Sequence, residues 1–429
     1  MSAATSNGSG KVAEGADAAI DSTVLHGKRM LVVEEALKNE SGHWYEYVKS
    51  VAELNRMAGA ETVVVSHVDT DPAVRQEIGA NAIFPWTSWD NIYRYPQAWR
   101  RYVGIARHNL RVYRVMNRFV KQHGPFDVLF APTVAIHHIF GWRLLMARQG
   151  GRGIGQIILL FRNNAGSYAD NSKTPVFKRS TNILKWALQS FRPLLASGRA
   201  RFATDSKKLA FEYRHLCGIE PEVFPSPRIA PPAPPSPPPR APGAPVIFSC
   251  LGPARFEKGI DVMQAAIRLY LERYPAGRAR FVIQWNDPIL DADGAVYLPD
   301  PGLRADPRVE LIEQTMSSAA YDAAVARTDC MLLPYRRESY FARISGVAVE
   351  AVTAGVPVIY TRDTWNEDLV LDLGAGIGVA DNDVSGLADA IAMMVEEFDR
   401  FSADAVARAD AARRSHSPMA FVAKAWGLA

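Results

Sequence analysis

Short apolar runs of strand length recur along the chain and alternate with longer amphipathic segments. In the first half these runs are residues 29–35, 62–67, 127–133, 155–161 and 201–204. The segment HWYEYVKSVAELNRMAG, residues 43–59, lies between the first two runs, has a helical pattern and closes on Gly59. Strands that alternate with helices predict a parallel sheet built from right-handed crossovers.

The second half repeats this pattern. Its apolar runs are residues 245–252, 280–285, 309–312, 329–335 and 357–361. Between the halves, PSPRIAPPAPPSPPPRAPGAP (residues 225–245) is too rich in proline for helix or sheet hydrogen bonds and predicts an extended linker. We therefore predict two doubly wound α/β domains that face each other across a cleft, where a ligand site is expected.

Composition places the chain among ordinary globular proteins, with 429 residues, 48% hydrophobic and 22% charged. Three widely spaced cysteines fit neither a disulfide framework nor a metal motif, which favours a reducing cytoplasm. Residues 1–26 lack the pattern of a secretory signal and are predicted to be a disordered tail. Residues 1–224 carry 29 Lys and Arg against 19 Asp and Glu, a net charge of +10, whereas residues 225–429 carry 20 against 26, a net charge of −6. The two halves are therefore expected to face different partners.

The loop LGPARFEKGID (residues 251–261) follows a predicted strand and precedes a predicted helix. Gly252 suits a tight turn, and Arg255 and Lys258 offer a forked guanidinium and a mobile point charge, which together suit a diphosphate. The alternative is a charged loop that is simply solvated.

The segment ISGVAVEAVTAGVPVI (residues 344–359) supplies the other half of an anion site. If Ser345 and Gly346 begin a helix at the carboxyl edge of the sheet, free backbone N–H groups point into the cleft. Glu350, one turn later, is then placed to accept hydrogen bonds from vicinal hydroxyls such as those of a ribose. The alternative for Glu350 is a surface carboxylate near a helix N-terminus.

These motifs together resemble the donor domain of the GT-B glycosyltransferases, specifically the large retaining group called family 4. The resemblance implies that Arg255 and Lys258 bind the donor diphosphate, that Glu350 holds the ribose, and that the loop from Glu313 to Met316 contacts the base. It also implies two Rossmann-like domains over residues 27–224 and 246–416, with a helix in residues 417–429 that crosses back to the first. Retention of anomeric configuration is implied by the family alone.

Two positions depart from the family pattern. The first acid of the E-x7-E motif is replaced by Ala342, so Glu338 becomes a candidate substitute, and Arg343 adds a cation that the usual pattern lacks. In the first half, the strand that often ends in a sugar-contacting His ends in LLFRNN, which places Arg162 and Asn163 there.

Other candidates belong to the first half. The segment Ser41-Gly42-His43 occupies the first strand-to-helix loop, where Gly42 and the N–H groups that follow it would form a second anion site. His137, next to His138, follows a strand and is a candidate for the acceptor side, or a structural residue. The sequence Asp291-Ala-Asp293 has the D-x-D form of a metal motif, but that motif belongs to a different fold, so no metal site is predicted.

The predicted function is transfer of a sugar from a nucleotide diphosphate donor to a lipid-linked or saccharide acceptor hydroxyl, in bacterial polysaccharide or glycolipid assembly. The enzyme would be a metal-independent hexosyltransferase that needs no cofactor. Because Ala342 replaces an acid, the alternative is a non-catalytic nucleotide-sugar-binding or assembly subunit of the same fold. A nicotinamide-dependent oxidoreductase is disfavoured, since no G-x-G-x-x-G follows any predicted strand.

A basic stripe marks the predicted helix over residues 100–122. Its cations recur at spacings of four and three and are Arg107, Arg111, Arg114, Arg118 and Lys121. Val103, Leu110, Val115 and Phe119 are expected on other faces, packed inward. The stripe predicts reversible binding to an anionic membrane, on the inner face of the plasma membrane. The alternatives are a solvated basic face and, with no recognition motif to support it, nucleic acid.

Overall fold

The structure is a computed structural model, and it describes residues 23–40, 43–87, 97–169, 172–227, 241, 243–285, 289–290 and 296–428. Several sequence predictions lie outside these residues. They are the tail up to residue 22, Gly42, the Asp291 to Asp293 segment and most of the proline-rich linker.

The N-terminal half is built on a seven-stranded parallel sheet. Its strands are β1 (Arg29–Val33), β2 (Glu61–His67), β3 (Ala80–Phe84), β4 (Phe126–Ala131), β5 (Ile154–Phe161), β6 (Ala200–Thr204) and β7 (Glu222–Val223). The order β3-β2-β1-β4-β5-β6-β7 reverses direction between β1 and β4. The apolar runs are buried on both faces because helices cover both sides of a parallel sheet.

The helices of this half follow the predicted alternation. They are α1 (His43–Met57), α2 (Pro72–Ile78), α3 (Ala98–His123), α4 (Ile136–Gln149), α5 (Thr181–Gln189), α6 (Arg192–Ala196) and α7 (Lys207–Cys217). Helix α7 begins at an N-cap, Ser206, whose Oγ accepts a hydrogen bond from the amide of Leu209 at 3.0 Å.

The C-terminal half contains a six-stranded parallel sheet and a separate two-stranded ribbon. Its strands are β8 (Val246–Cys250), β9 (Ala279–Gln284), β10 (Ile289–Leu290), β11 (Val296–Tyr297), β12 (Val309–Ile312), β13 (Cys330–Leu333), β14 (Val358–Thr361) and β15 (Gly376–Val379). The sheet order is β12-β9-β8-β13-β14-β15, so its direction reverses between β8 and β13. The prediction of two doubly wound α/β units is confirmed.

Helices of the C-terminal half cover both faces of its sheet. They are α8 (Ile260–Arg273), α9 (Pro301–Ala305), α10 (Ser318–Ala326), α11 (Arg337–Tyr340), α12 (Gly346–Ala354), α13 (Trp365–Leu373), α14 (Val384–Glu396), α15 (Phe398–Ser415) and α16 (Pro418–Trp426).

Helix α16 packs against the N-terminal half. The ring of Phe421 contacts Phe130 edge-on at 5.3 Å, and Arg201 donates to the carbonyl oxygens of Lys424 and Ala425 at 2.8 and 3.0 Å. The chain end therefore ties the last helix to the first sheet.

One predicted boundary is wrong. The sequence predicts that residues 23–26 belong to a disordered tail, yet Leu25 is only 2% exposed and packs in a cluster with Leu54, Ala58 and Val422. Its amide donates to the carbonyl of Ala58 at 2.9 Å. The two apolar residues Val24 and Leu25 after a polar segment are too short a pattern to predict that one of them is buried and the other exposed.

Helix α3 carries the predicted basic stripe, with Arg107, Arg114, Arg118 and Lys121 exposed. Arg111 is half-buried, and its guanidinium lies 4.2 Å from the centroid of the Trp86 ring.

The inward packing predicted for Val103 and Leu110 on α3 is wrong, since they are 41% and 39% exposed. Val103 is four residues before Arg107 and Leu110 is four residues before Arg114, so each shares the outer face of the helix with an arginine. Val112 and Met116 form the buried face. The outer surface of α3 is therefore both basic and apolar. None of the helices in the described part of the chain combines the length and the apolar character that a transmembrane span requires.

Candidate functional site

The reversal of strand order between β8 and β13 opens a crevice at the carboxyl edge of the second sheet, the usual position of a ligand site in this architecture. Two loops line it, one after β8 and one after β13. They are joined by a hydrogen bond from the amide of Arg336 to the carbonyl of Glu257 at 3.0 Å. Gly259 allows this approach, because a Cβ there would lie 1.9 Å from the carbonyl oxygen of Pro334.

Gly252 and Lys258 are in direct contact in the first loop. Gly252 has a positive φ of 83°, and its amide donates to Oε1 of Gln284 at 2.6 Å. A Cβ at this position would lie 2.7 Å from Nζ of Lys258, so the ammonium occupies the space that a side chain would fill. Burial lowers the pKa of Lys258 to about 8. The lysine is therefore a cation that an anion in the crevice would stabilise.

Arg255 and Arg343 share one carboxylate. Nη2 of Arg343 donates to Oε1 of Glu257 at 2.9 Å, and Nη1 of Arg255 lies 3.6 Å from the same oxygen. Burial acts to raise the pKa of Glu257, but Arg343 and the other cations outweigh it and hold the pKa below its usual value. The Arg255 side chain is 59% exposed and is the more exposed of the two, since that of Arg343 is 29% exposed.

Helix α12 begins as predicted. Ser345 is its N-cap, with Oγ accepting from the amide of Ala348 at 3.2 Å. The first amides of a helix have no acceptor within the helix, so those of Gly346 and Val347 are available to a ligand. A Cβ on Gly346 would meet no atom within 4 Å, so the space in front of this helix end is open.

Glu350 and the predicted base loop lie around the same helix. Oε2 of Glu350 accepts a hydrogen bond from the Tyr321 hydroxyl at 2.6 Å, and the residue is half-buried. Glu313 is exposed and forms a two-bond ion pair with Arg304, both contacts at 2.8 Å. Met316 packs against the apolar cluster beneath α12.

The structure shows the environment of Ala342, which replaces the first acid of the E-x7-E motif. This residue is 0% exposed and, with Phe341, packs in the core cluster of the N-terminal half. Its carbonyl accepts a hydrogen bond from Oγ of Ser206. Glu338, the proposed substitute acid, lies exposed on α11. Arg343, one residue after Ala342, is the charged side chain that contacts Glu257 in the loop after β8.

Comparison with known proteins agrees with this geometry. A family model described as "Glycosyl transferases group 1" matches residues 245–397. Residues 245–397 form a glycosyl transferases group 1 domain. No curated protein sequence matches the chain significantly.

Solved structures match over nearly the whole chain, so the fold is GT-B. Sucrose-phosphate synthase (tll1590) from Thermosynechococcus elongatus has a TM-score of 0.61 at 14% identity, covering 94% of this chain and 98% of that one. Anabaena Alr3699/HepE in complex with UDP and glucose has a TM-score of 0.61 at 12% identity, covering 94% and 99%. An Escherichia coli trehalose-6-phosphate structure bound with UDP-2-fluoro glucose has a TM-score of 0.63 at 12% identity, covering 93% and 99%.

A second ionisable cluster lies outside the glycosyl transferases group 1 domain, where the first sheet reverses between β1 and β4. Glu35 follows β1, and its two carboxylate oxygens lie 2.7 Å from Nε2 of His108 and 2.9 Å from Nε2 of His138. All three residues are buried. Burial acts to raise the pKa of Glu35, but the two imidazoles outweigh it and hold the pKa well below its usual value.

This cluster is the one group of three or more metal-ligand side chains that converge among the described residues, since its donor atoms lie within 4.8 Å of one another. The amide of Ala135 donates to Nδ1 of His138 at 3.4 Å, which leaves the imidazole proton on Nε2, facing Glu35. The geometry is therefore that of a hydrogen-bonded cluster. Sequence reasoning missed Glu35 and His108; a carboxylate pair directly after a buried strand was the available signal.

The other first-half candidates are distributed over two helices and the loop after β5. His137 is 1% exposed in α4, and burial lowers its pKa to about 3. His43 begins α1. Asn163 is exposed after β5, and its carbonyl accepts from the Tyr213 hydroxyl at 3.2 Å. Of these candidates, Arg162 contacts Asp205, whose neighbour Ser206 bonds Ala342 of the second half.

Proposed function

We propose that the protein transfers a sugar from a nucleotide diphosphate donor to an acceptor hydroxyl. The observation that carries this proposal is that Lys258 and the open N-terminus of α12 converge on the crevice of a glycosyl transferases group 1 domain. Two cations and free helix amides form a site for a diphosphate.

The chemistry proposed is stabilisation of the departing diphosphate. Negative charge builds on its oxygens as the bond to the sugar breaks, and fixed donors stabilise that charge without reorganising. Lys258 is held against Gly252 by its surroundings and is pre-positioned, whereas exposed Arg255 closes onto the ligand from the rim. Gly346 contributes its amide at the helix end. Retention of anomeric configuration is part of this proposal.

Glu350 is proposed to hold the ribose. The Tyr321 hydroxyl donates to Oε2 of Glu350 at 2.6 Å and orients the carboxylate, whose oxygens would accept hydrogen bonds from the ribose hydroxyls. The loop from Glu313 to Met316 is proposed to contact the base, with Glu313 held in place by Arg304.

The test is turnover by the purified protein. Incubation with a panel of nucleotide diphosphate sugars should release a nucleoside diphosphate from one donor, and addition of a lipid-linked or saccharide acceptor should accelerate the release. A catalytically silent protein that still binds a nucleotide sugar would instead favour the non-catalytic subunit. That alternative was motivated by Ala342, whose side chain faces the core of the first half and not the crevice.

The acceptor side is proposed to work beside a membrane, in bacterial polysaccharide or glycolipid assembly. The outer face of α3 combines exposed cations with exposed Trp99, Val103 and Leu110, which are 63%, 41% and 39% exposed. Basic and aromatic side chains on one helix face suit an anionic lipid surface. The three cysteines are free and buried, which supports a cytoplasmic location on the inner face of the membrane. We further propose that the second domain spans residues 246–416 and that the first ends at residue 224, with its start moved to residue 23 to include Leu25.

A further inference from the structure

The contact between the two halves places one arginine on a carboxylate and a second arginine near it. Oγ of Ser206 donates to the carbonyl of Ala342, which sets the preceding residue, Asp205, beside the following residue, Arg343. Nε of Arg162 donates to Oδ2 of Asp205 at 3.1 Å. Both Arg162 and Arg343 act electrostatically on Asp205, against the burial that raises its pKa.

Each guanidinium lies beside an aromatic ring and bonds a carboxylate. Arg162 lies 4.6 Å from the centroid of the Tyr47 ring, and Arg343 lies 4.8 Å from that of Tyr340. Arg343 also donates through Nη2 to Glu257 at 2.9 Å. An arginine fixed by an aromatic ring and a carboxylate loses little side-chain entropy when it binds a ligand.

Each arginine donates these hydrogen bonds through a single nitrogen, and its other two nitrogens remain available to a ligand. Nη1 and Nη2 of Arg162, and Nε and Nη1 of Arg343, make no hydrogen bond to any residue that the structure describes. These four nitrogens lack a hydrogen-bond partner in the described part of the chain but are not fully buried, so solvent reaches them. Two forks of N–H donors, one from each half, therefore lack an acceptor.

Asp205 adds the opposite kind of group. It is 8% exposed, and its Oδ1 has no hydrogen-bond partner in another described residue. A buried acceptor without a donor is costly, and a sugar hydroxyl would satisfy it. The junction thus offers donors for an anion and an acceptor for a hydroxyl, and through Arg343 it contacts Glu257, the residue before Lys258.

We propose that the donor sugar is a uronic acid, with its carboxylate bound by Arg162 and Arg343 and a hydroxyl bound by Asp205. This inference rests on the proposed function. A carboxylate matches a guanidinium fork, whereas a neutral hexose would leave these N–H donors with water. The diphosphate is accounted for by Arg255, Lys258 and α12. The departure at Ala342 then marks a change of sugar class rather than a loss of activity.

The test compares sugars that differ only at C6. Dissociation constants are measured by calorimetry for UDP-glucose against UDP-glucuronic acid and for GDP-mannose against GDP-mannuronic acid, with UDP and GDP as references. For the base that binds, the acid is expected to bind about 10-fold to 100-fold tighter than its neutral partner, as two charged hydrogen-bonded contacts allow.

Arg162→Ala and Arg343→Ala should each remove most of that preference. Arg162→Ala should also leave the affinity for the plain nucleoside diphosphate within about threefold, because Arg162 bonds Asp205, whereas Arg343 bonds Glu257 in the loop that holds Lys258. Arg327→Ala, which removes an exposed arginine paired with Glu310, should keep the preference. Nucleotide binding without a preference for the acid would overturn the inference alone. If no nucleotide or nucleotide sugar bound, the proposed function would fail and the inference with it.

Discussion

Replacement of Lys258 tests the diphosphate site through both rate and pH dependence. Lys258→Ala should lower kcat by on the order of 100-fold, about 2.7 kcal/mol, which is the usual loss when one donor to a developing anion is removed. The fold should be unaffected, because the ammonium makes no hydrogen bond to a described residue and lies against Gly252. Arg273→Ala, in which an exposed arginine paired with Asp389 is removed, is the matched control.

The pH dependence follows from the low pKa of Lys258, about 8. The protonated form binds the diphosphate, so kcat/KM for the donor should be constant below pH 8 and fall about tenfold per unit above it. The bound diphosphate favours the ammonium, so the fall in kcat should lie at higher pH than the fall in kcat/KM. Steady-state kinetics between pH 6 and 10 would show both limbs.

Lys258→Arg separates this explanation from others. A guanidinium stays protonated throughout this range, so the variant, although slower, should lose the alkaline fall. An unchanged alkaline limb in Lys258→Arg, or near-normal turnover in Lys258→Ala, would refute the assignment of Lys258 to the diphosphate.

Three further changes test other parts of the account. Glu350→Gln should raise KM for the donor about tenfold with little change in kcat, since ribose contacts are similar in the ground and transition states, and an unaltered KM would return Glu350 to a structural role. Ala342→Glu should lower the free energy of unfolding by on the order of 3 kcal/mol, because it buries an unpaired carboxylate in the core of the first half, whereas Ala407→Glu at an exposed site should not; a stable, more active Ala342→Glu would show that this side chain faces the crevice. Reversal of Arg107, Arg114 and Arg118 to Glu should abolish salt-sensitive flotation with anionic vesicles, and reversal of Arg268, Arg273 and Arg327 should not; a wild-type protein that ignores such vesicles at low salt would exclude the membrane.

The parts of this site that were predictable from sequence are local. Ser345 and Gly346 begin α12 because a cap residue, a glycine and a run of small apolar residues follow one another, and such signals act within one turn. The loop from Gly252 to Lys258 was equally readable, since it joins an apolar run to an amphipathic helix.

The parts that were not predictable depend on distant pairs. Ser206 meets Ala342 across 136 positions, and Glu35 meets His108 across 73, so no short pattern encodes either contact. The same limit explains the error on α3. The hydrophobic character of Val103 and Leu110 predicts that they are buried. The buried face of α3 is instead the one that packs against α4, and it contains His108, Val112 and Met116.

The location of the donor diphosphate tests the central claim most directly. A crystal structure of the protein with its nucleoside diphosphate should place the distal phosphate within hydrogen-bond distance of Nζ of Lys258 and of the amide of Gly346, with the ribose hydroxyls at Glu350. A diphosphate bound elsewhere, for example at the Glu35 cluster of the first sheet, would contradict the account.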